Sequence, residues 1–377
     1  MSPAEITNQP TRVSLEQFPL RKGDVLVGRV LQRKGPFRYL VRIGGQLTEV
    51  NSRLELSDGQ LLVLEFKEGS PRIHLKLIST LQHLQTGSQM KQLARKFGFP
   101  TDAFSLDFLR LSFQLGVVVR REYLKQLKSL YHRWDRHRKI SAEVFLLPYF
   151  VQSSVFSHLA VTEPFFLLKW YWGLKDADAR ASRQPSDAEA SEEPASSLFE
   201  SLREGLQPLQ KGSLFDRFLH SAVWRHFRMQ CSGRESCRRS SFYQDGMRFV
   251  EEQIVRYRTG RWAMFPVEVN QESGFLFLKQ SNTAGSSGIR FYFEVDHPVW
   301  QEIQVRGELK GTEISLVFYN GHKVFGREVD SHKINLKEKL MRIGFQRVNL
   351  SHITGIRMGQ GLRQLLNYSV STVDKVA

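Results

Sequence analysis

Apolar and polar positions change period along the chain. Between residues 20 and 80, short apolar runs cover Val25 to Leu31, Tyr39–Ile43, Leu61–Phe66 and Ile73–Leu77, the last alternating strictly. That is the pattern of half-buried strands. Gly23-Asp24, Gly44-Gly45, Asp58-Gly59 and Gly69–Pro71 punctuate them as turns. So many short strands in about 60 residues predict a small, strongly curved β-domain over 20–80, OB-like or SH3-like.

From Leu81 to Leu174 the spacing becomes helical. One segment begins at Leu84 and stops at Gly98 and Pro100. Thr101-Asp102 caps a second, with Phe104, Phe108, Leu109 and Leu111 on its apolar side and Gly116 at its end. Val119 to His137 forms a third, and Ser141 opens a fourth that is expected to stop before Pro148. Residues 175–213, rich in Ala, Ser, Glu and Pro, read as a flexible acidic linker. A helical connector over 214–258 follows, with helices at Leu214–Phe227 and Phe242–Tyr257.

The segment 259–360 carries the clearest pattern. Trp262–Pro266, Gly274–Leu278, Ile289–Val295, Glu302–Val305 and Glu313–Phe318 read as strands, with Ile289, Phe291, Phe293 and Val295 on one face. A helix from Ser331 to Arg342 and a last strand over Phe345–Ile353 complete an α+β sheet-plus-helix domain. Gly355, Gly359 and Gly361 read as a flexible tail. The fold class is therefore multi-domain: a small N-terminal β-barrel-like domain, a helical middle and a C-terminal α+β domain.

Composition narrows the function classes. The 377 residues include 54 Lys+Arg against 38 Asp+Glu, a formal charge of +16, with 41% hydrophobic residues. Global disorder is excluded. Two Cys exclude a disulfide scaffold and fit a reducing compartment. No apolar run is long enough to span a bilayer, and Met1–Ile6 lacks the features of a signal peptide. The expected localisation is cytoplasmic. The charge is zoned: residues 120–139 hold eight Lys/Arg against two acids, a second cluster runs from Arg225 to Arg239, and 175–204 hold eight acids against four bases. Arg120, Arg121, Lys125, Lys128, Arg133, Arg136, Arg138 and Lys139 are the candidate polyanion contacts. Tyr123, Tyr131 and Trp134 are interleaved with them, either as stacking groups or as the core side of a helix with a solvated cationic face. Phe37 and Tyr39 are the aromatics that a nucleic-acid-binding barrel could offer.

Catalytic signatures do not emerge. Neither a P-loop nor G-x-G-x-x-G is present. Gly285–Gly288 lacks the nucleophile-elbow spacing, and His132 and His137 lie about 140° apart on a helix. Cys231 and Cys237, with His220 and His226 nearby, lack zinc-knuckle spacing. No enzyme activity, cofactor or metal is expected.

Local phrases of the C-terminal segment resemble the flagellar hook-length control protein family. In that family a Pro-x-Leu-Gly-x-Val-x-Val segment joins strands, followed by another strand and a helix ending in Leu-Gly. Here Pro298-Val-Trp-Gln-Glu-Ile-Gln-Val305 precedes Gly311–Phe318 and Leu340–Phe345. Pro298, Ile303, Val305, Gly344 and Phe345 fit, while Trp300 replaces the Leu and Gln301 the Gly. Gly23–Leu77 is similar to the small β-domain of divergent members, and Leu93–Leu124 to their helical middle. The resemblance implies a non-enzymatic regulator of hook length and of type III export specificity. Its C-terminal domain would dock on the export-gate switch protein, with hook proteins as further partners. The chain would then be cytoplasmic or exported through the flagellar type III pathway. Pro298, Trp300, Gln301, Ile303 and Val305 are the candidate partner-binding residues, Trp300 being either a rigid anchor or a core residue that caps the sheet. The alternative function is nucleic-acid binding through the β-domain and the basic helix 120–139.

Overall fold

The computed structural model describes residues 5–8, 20–43, 46–68, 74–81, 87–134, 140–156, 163–172, 220–221, 241–269, 272–283, 286–297, 299–322, 324–354 and 359–374. The linker over 175–213, the Arg-rich loop from Arg225 to Arg239, Cys231, Cys237 and nearly all of the helix expected over 214–227 lie outside them. The described residues fall in two compact units: one runs to Phe156 and takes in 167–172 and 362–374, the other holds 163–166, 220–221 and 241–361.

The first unit opens with a closed antiparallel barrel. Its strands are β1 (Glu5–Asn8), β2 (Val25–Gly35), β3 (Arg38–Ile43), β4 (Gln46–Ser52), β5 (Leu61–Glu68) and β6 (His74–Leu81), in the order β1-β4-β3-β2-β5-β6. β1 closes it by pairing with both β4 and β6. Alternation sends Leu26, Val30, Tyr39, Val41, Ile43, Val50, Leu62, Leu64 and Leu75 inside. Gly28 is required in that interior, because a Cβ there would lie 2.9 Å from Val41 Cγ1. The barrel is as expected in kind, with β1 and β4 added. The four residues of β1 hold one large apolar side chain, Ile6, too little for a period to register.

Helices α1 (Gly87–Phe97), α2 (Ala103–Leu115), α3 (Arg121–Trp134), α4 (Ala142–Ser154) and α5 (Phe166–Tyr171) follow. Asp102 caps α2 by accepting from the Ser105 amide, and Ser141 caps α4 by accepting from Val144. Gly116, at φ +66°, ends α2. The expected stop before Pro148 does not occur. α4 runs through it to Ser154, because Val144 to Val151 are buried all round and packing outweighs the lost hydrogen bond. Phe108 packs on Tyr149 and Phe150 at 5.9 and 5.8 Å.

Barrel and helices meet at a buried ion pair. Asp24, just before β2, accepts from Arg120 Nε at 3.1 Å, and the two side chains are 6% and 11% exposed. The Arg21 amide also donates to Asp24, and Arg120 Nη1 donates to the Tyr123 hydroxyl. Beside them Val25 and Val119 form an isolated antiparallel bridge, closed by reciprocal bonds of 3.1 and 2.9 Å.

The second unit is built on a six-stranded sheet: β7 (Ala263–Val269), β8 (Glu272–Thr283), β9 (Ser286–His297), β10 (Gln301–Lys310), β11 (Glu313–Asn320) and β12 (Arg347–Thr354). The strands lie in sequence order, antiparallel except for β11 and β12. That parallel pair needs a crossover, supplied by α7 (Phe325–Arg342), while α6 (Ser241–Arg258) packs on β7. α7 begins six residues before the expected Ser331. No side chain caps it there; instead buried Phe325 meets Trp300 at 5.7 Å. Gly307 opposes Phe291, whose ring occupies the place of a Cβ, 2.0 Å away.

The glycine-rich end is not a tail over its described part. α8 (Gln360–Asp374) starts there. The Gly359 and Gly361 amides donate to Glu302 Oε1 at 3.3 Å and Glu294 Oε1 at 3.1 Å, carboxylates well placed for a helix N-terminus. A Cβ on Gly361 would sit 2.5 Å from the Tyr292 ring, so the helix start lies against the sheet only because that residue is glycine. No described helix is long and apolar enough to cross a membrane.

The ion pair makes a stability prediction. Asp24→Ala leaves a buried guanidinium without its carboxylate and costs about 3–5 kcal/mol, whereas Asp24→Leu with Arg120→Met recovers most of the loss. Urea unfolding checks this; a single variant within about 1 kcal/mol of wild type contradicts a structural role for the pair.

Candidate nucleic-acid interface

The outer face of β2, β3 and β4 assembles cations that are distant in sequence. Pairing places Arg29 opposite Arg42, Gln32 opposite Leu40 and Gly35 opposite Arg38. On the next strand Leu47 opposes Arg42, Glu49 opposes Leu40 and Asn51 opposes Arg38. Since Val41, Ile43 and Val50 point inward, these partners point out. Register shifts between Val30 and Gln32 and between Arg33 and Gly35 re-aim β2, keeping both Arg29 and Lys34 exposed.

At the end of this face the Pro36-Phe37 turn projects. Arg33 Nε donates to the Gly35 carbonyl at 3.3 Å and Nη2 to that of Pro36 at 3.4 Å, and the Ser52 amide donates to the Phe37 carbonyl at 2.9 Å. So held, the Phe37 ring is 60% exposed, with Leu54 (41%) and Leu47 (40%) the other exposed apolar groups of the barrel. Tyr39 does not join them. It is 1% exposed, and its hydroxyl donates to the Leu54 carbonyl and accepts from the Leu56 amide. The surface combines cationic groups with an exposed ring and apolar side chains, a combination chemically able to meet phosphates and unstacked bases.

The basic helix is placed differently from a stacking platform. Arg120 is committed to Asp24; burial disfavours its charge, but Asp24 and Tyr123 outweigh this and raise its pKa. Arg121 donates to the Phe97 carbonyl and lies over the Phe99 ring at 5.8 Å. Lys128 Nζ is 2.9 Å from Asp102. Burial pushes the Asp102 carboxyl up, but bonds from Lys128 and Ser105 outweigh it and hold it below its ordinary value. Lys125 and Arg133 are exposed, and Arg136, Arg138 and Lys139 lie outside the described residues. The interleaved aromatics face the helical core: Tyr131 packs on Phe104 and Phe145 at 5.0 and 5.2 Å, and Trp134 on Trp172 at 4.5 Å. Of the two alternatives for this helix, the structure supports the solvated cationic face over a packed apolar side.

The residues singled out in the C-terminal unit lie at the start of β10. Pro298 is outside the described residues. Trp300 is half-buried, edge-on to His322 at 5.8 Å and Phe325 at 5.7 Å. Buried Asn320 fixes this corner, donating to the carbonyls of Trp300 (2.8 Å) and Glu302 (3.0 Å) and accepting from the His322 amide (2.6 Å). Gln301 opens β10, while half-buried Ile303 and Val305 share the α7 face with Val295 and Phe293. Val299, 67% exposed, is the prominent apolar group at this turn.

Sequence reading passed over Arg29, Arg33, Lys34, Arg38 and Arg42. Their signal was weak in one dimension because antiparallel pairing, not local density, brings them together. Among the described residues no group of three or more His, Cys, Asp or Glu could hold a metal ion.

Comparison with known families matches residues 5–76 to the TP0910 S1-like domain. The match covers the barrel as far as Lys76 in β6 and leaves the remaining residues unassigned. No curated protein and no solved structure matches the chain.

Proposed function

We propose that the protein binds single-stranded nucleic acid through the outer β2–β4 face of its S1-like barrel, without catalysing a reaction. The observation that carries this reading is that Arg29 lies opposite Arg42 on a face that continues along β3 to Arg38 and the exposed Phe37. Pairing sets two guanidinium-bearing residues directly opposite one another, where a phosphate backbone can run between them. The strands that carry these residues lie within the match to the TP0910 S1-like domain. The basic helix contributes Lys125 and Arg133 at most among its described cations.

Anisotropy titration of the full chain against a labelled oligouridylate tests it. The double variant Arg29→Glu/Arg42→Glu is expected to bind at least about tenfold more weakly, with a log–log salt slope smaller by roughly 1.4, about 0.7 per lost phosphate contact. Phe37→Ala is expected to cost about 1–3 kcal/mol with the slope kept. Unchanged affinity and slope in the double variant would refute the assignment.

A second reading, regulation of flagellar hook length and type III export, rests on the C-terminal resemblance: β10, β11 and α7 follow one another in the order that the resemblance implies. The docking element would be the Val299–Trp300 corner, the partners the export-gate switch protein and hook proteins, and the site of action cytoplasmic or reached by export. A chromosomal Val299→Asp variant should then give hooks of uncontrolled length in the source bacterium. Hooks of normal length would dismiss it.

A further inference from the structure

The C-terminal sheet ends on an open edge. Among the described residues no strand pairs with the outer side of β12, eight residues long, and its sequence from Arg347 to Thr354 has neither the proline nor the lysine that commonly blocks such an edge. The other edge strand differs, since β7 carries Pro266 and its Ala263, Met264, Phe265 and Val267 are buried. Ile343, just before β12, and Ile353, near its end, are 59% and 52% exposed.

α7 makes a wall beside this edge. It packs on β12 more than on β11. Phe325, on one side of the helix, meets Trp300 at the start of β10. The other side lies over the edge strand: Asp330 Oδ1 is 3.4 Å from His352 Nδ1, and a Cβ on Gly326 would fall 2.7 Å from His352 Nε2. At 100° per residue, Asp330, Lys333, Lys337 and Met341 share that side within an arc of about 80°. Lys333, Lys337 and Met341 are exposed. The result is a shelf whose floor is a strand edge unpaired among the described residues and whose wall carries two ammonium groups, with the Asp330 carboxylate turned to His352.

The charge selects the occupant. A second copy added by two-fold pairing would bring the Lys333 and Lys337 walls towards one another, like charge against like. An extended segment with carboxylates on alternate residues satisfies both parts, giving ladder bonds to β12 and ion pairs to α7. We propose that β12 and the adjoining side of α7 accept an extended acidic segment of a partner protein as a seventh strand. This surface is separate from the barrel face and does not depend on its function.

The full chain can be titrated into two fluorescein-labelled octapeptides, one alternating valine and glutamate and one alternating proline and glutamate. The first should bind saturably. The second has the same charge but cannot form a ladder, and it should not bind. Lys333→Glu/Lys337→Glu changes exposed residues, so the fold should be kept, as circular dichroism will show; its affinity for the valine peptide should fall at least about tenfold. Arg29→Glu/Arg42→Glu should bind that peptide as wild type does, separating this proposal from the nucleic-acid reading. Equal binding of the two peptides, full binding by the lysine variant, or no binding of the valine peptide below about 1 mM would overturn it.

Discussion

The ion pair between Asp24 and Arg120 decides which parts of the barrel are free. It sits where β2 begins and α3 is about to start, next to the Val25–Val119 bridge, so the helical module is fastened to the first residues of β2. A second tie, from Lys96 Nζ to the Ile78 carbonyl, fastens α1 to β6. Neither touches the far end of β2. At about 3.3 Å per residue that strand carries the chain roughly 40 Å along its path from the buried pair to the Pro36-Phe37 turn. The same geometry that buries Arg120 therefore leaves Arg29, Arg38, Arg42 and Phe37 facing outward. It also removes Arg120 from the pool of cations that could meet a polyanion.

Charge in this protein thus has two uses. Some cations are structural. Arg120 neutralises a buried carboxylate, Arg121 caps the end of α1, and Lys128 holds the capping Asp102 of α2. Glu143 extends the same logic: burial pushes its carboxyl up, but Arg363 and Arg110 outweigh this and keep it low. Other cations stand on sheet faces or helix walls, where the proposed partners would meet them: Arg29, Arg38 and Arg42 on the barrel, Lys333 and Lys337 beside β12. The formal +16 of the sequence sums the two kinds and distinguishes neither.

Much of the fold could be read from periodicity, because large apolar side chains at spacing two or three to four leave a clear trace. Ile289, Phe291, Phe293 and Val295 are one such trace, and Asp102 and Ser141 mark real helix starts. The failures have physical causes. β1 has too few apolar residues to show a period, Pro148 is overridden by packing around α4, and α7 starts at Phe325 through a tertiary contact rather than a capping side chain. The start of α8 rests on Glu294 and Glu302, more than 50 residues away in sequence. The candidate site was the hardest part to read. A dense run of Lys and Arg at one helix is conspicuous along the chain, yet three of its five described cations, Arg120, Arg121 and Lys128, are engaged in structure. Arg29 and Arg42 are thirteen residues apart and meet only through the β2–β3 register.

The central claim is that single-stranded nucleic acid lies on the outer face of β2, β3 and β4. Photocrosslinking the full chain to an oligonucleotide carrying 4-thiouridine, followed by mass spectrometry of the adducts, tests it most directly. Adducts are expected on Phe37 and on peptides within Arg29–Leu54. Crosslinks confined to the C-terminal unit or to α3, with none on the barrel, would contradict it.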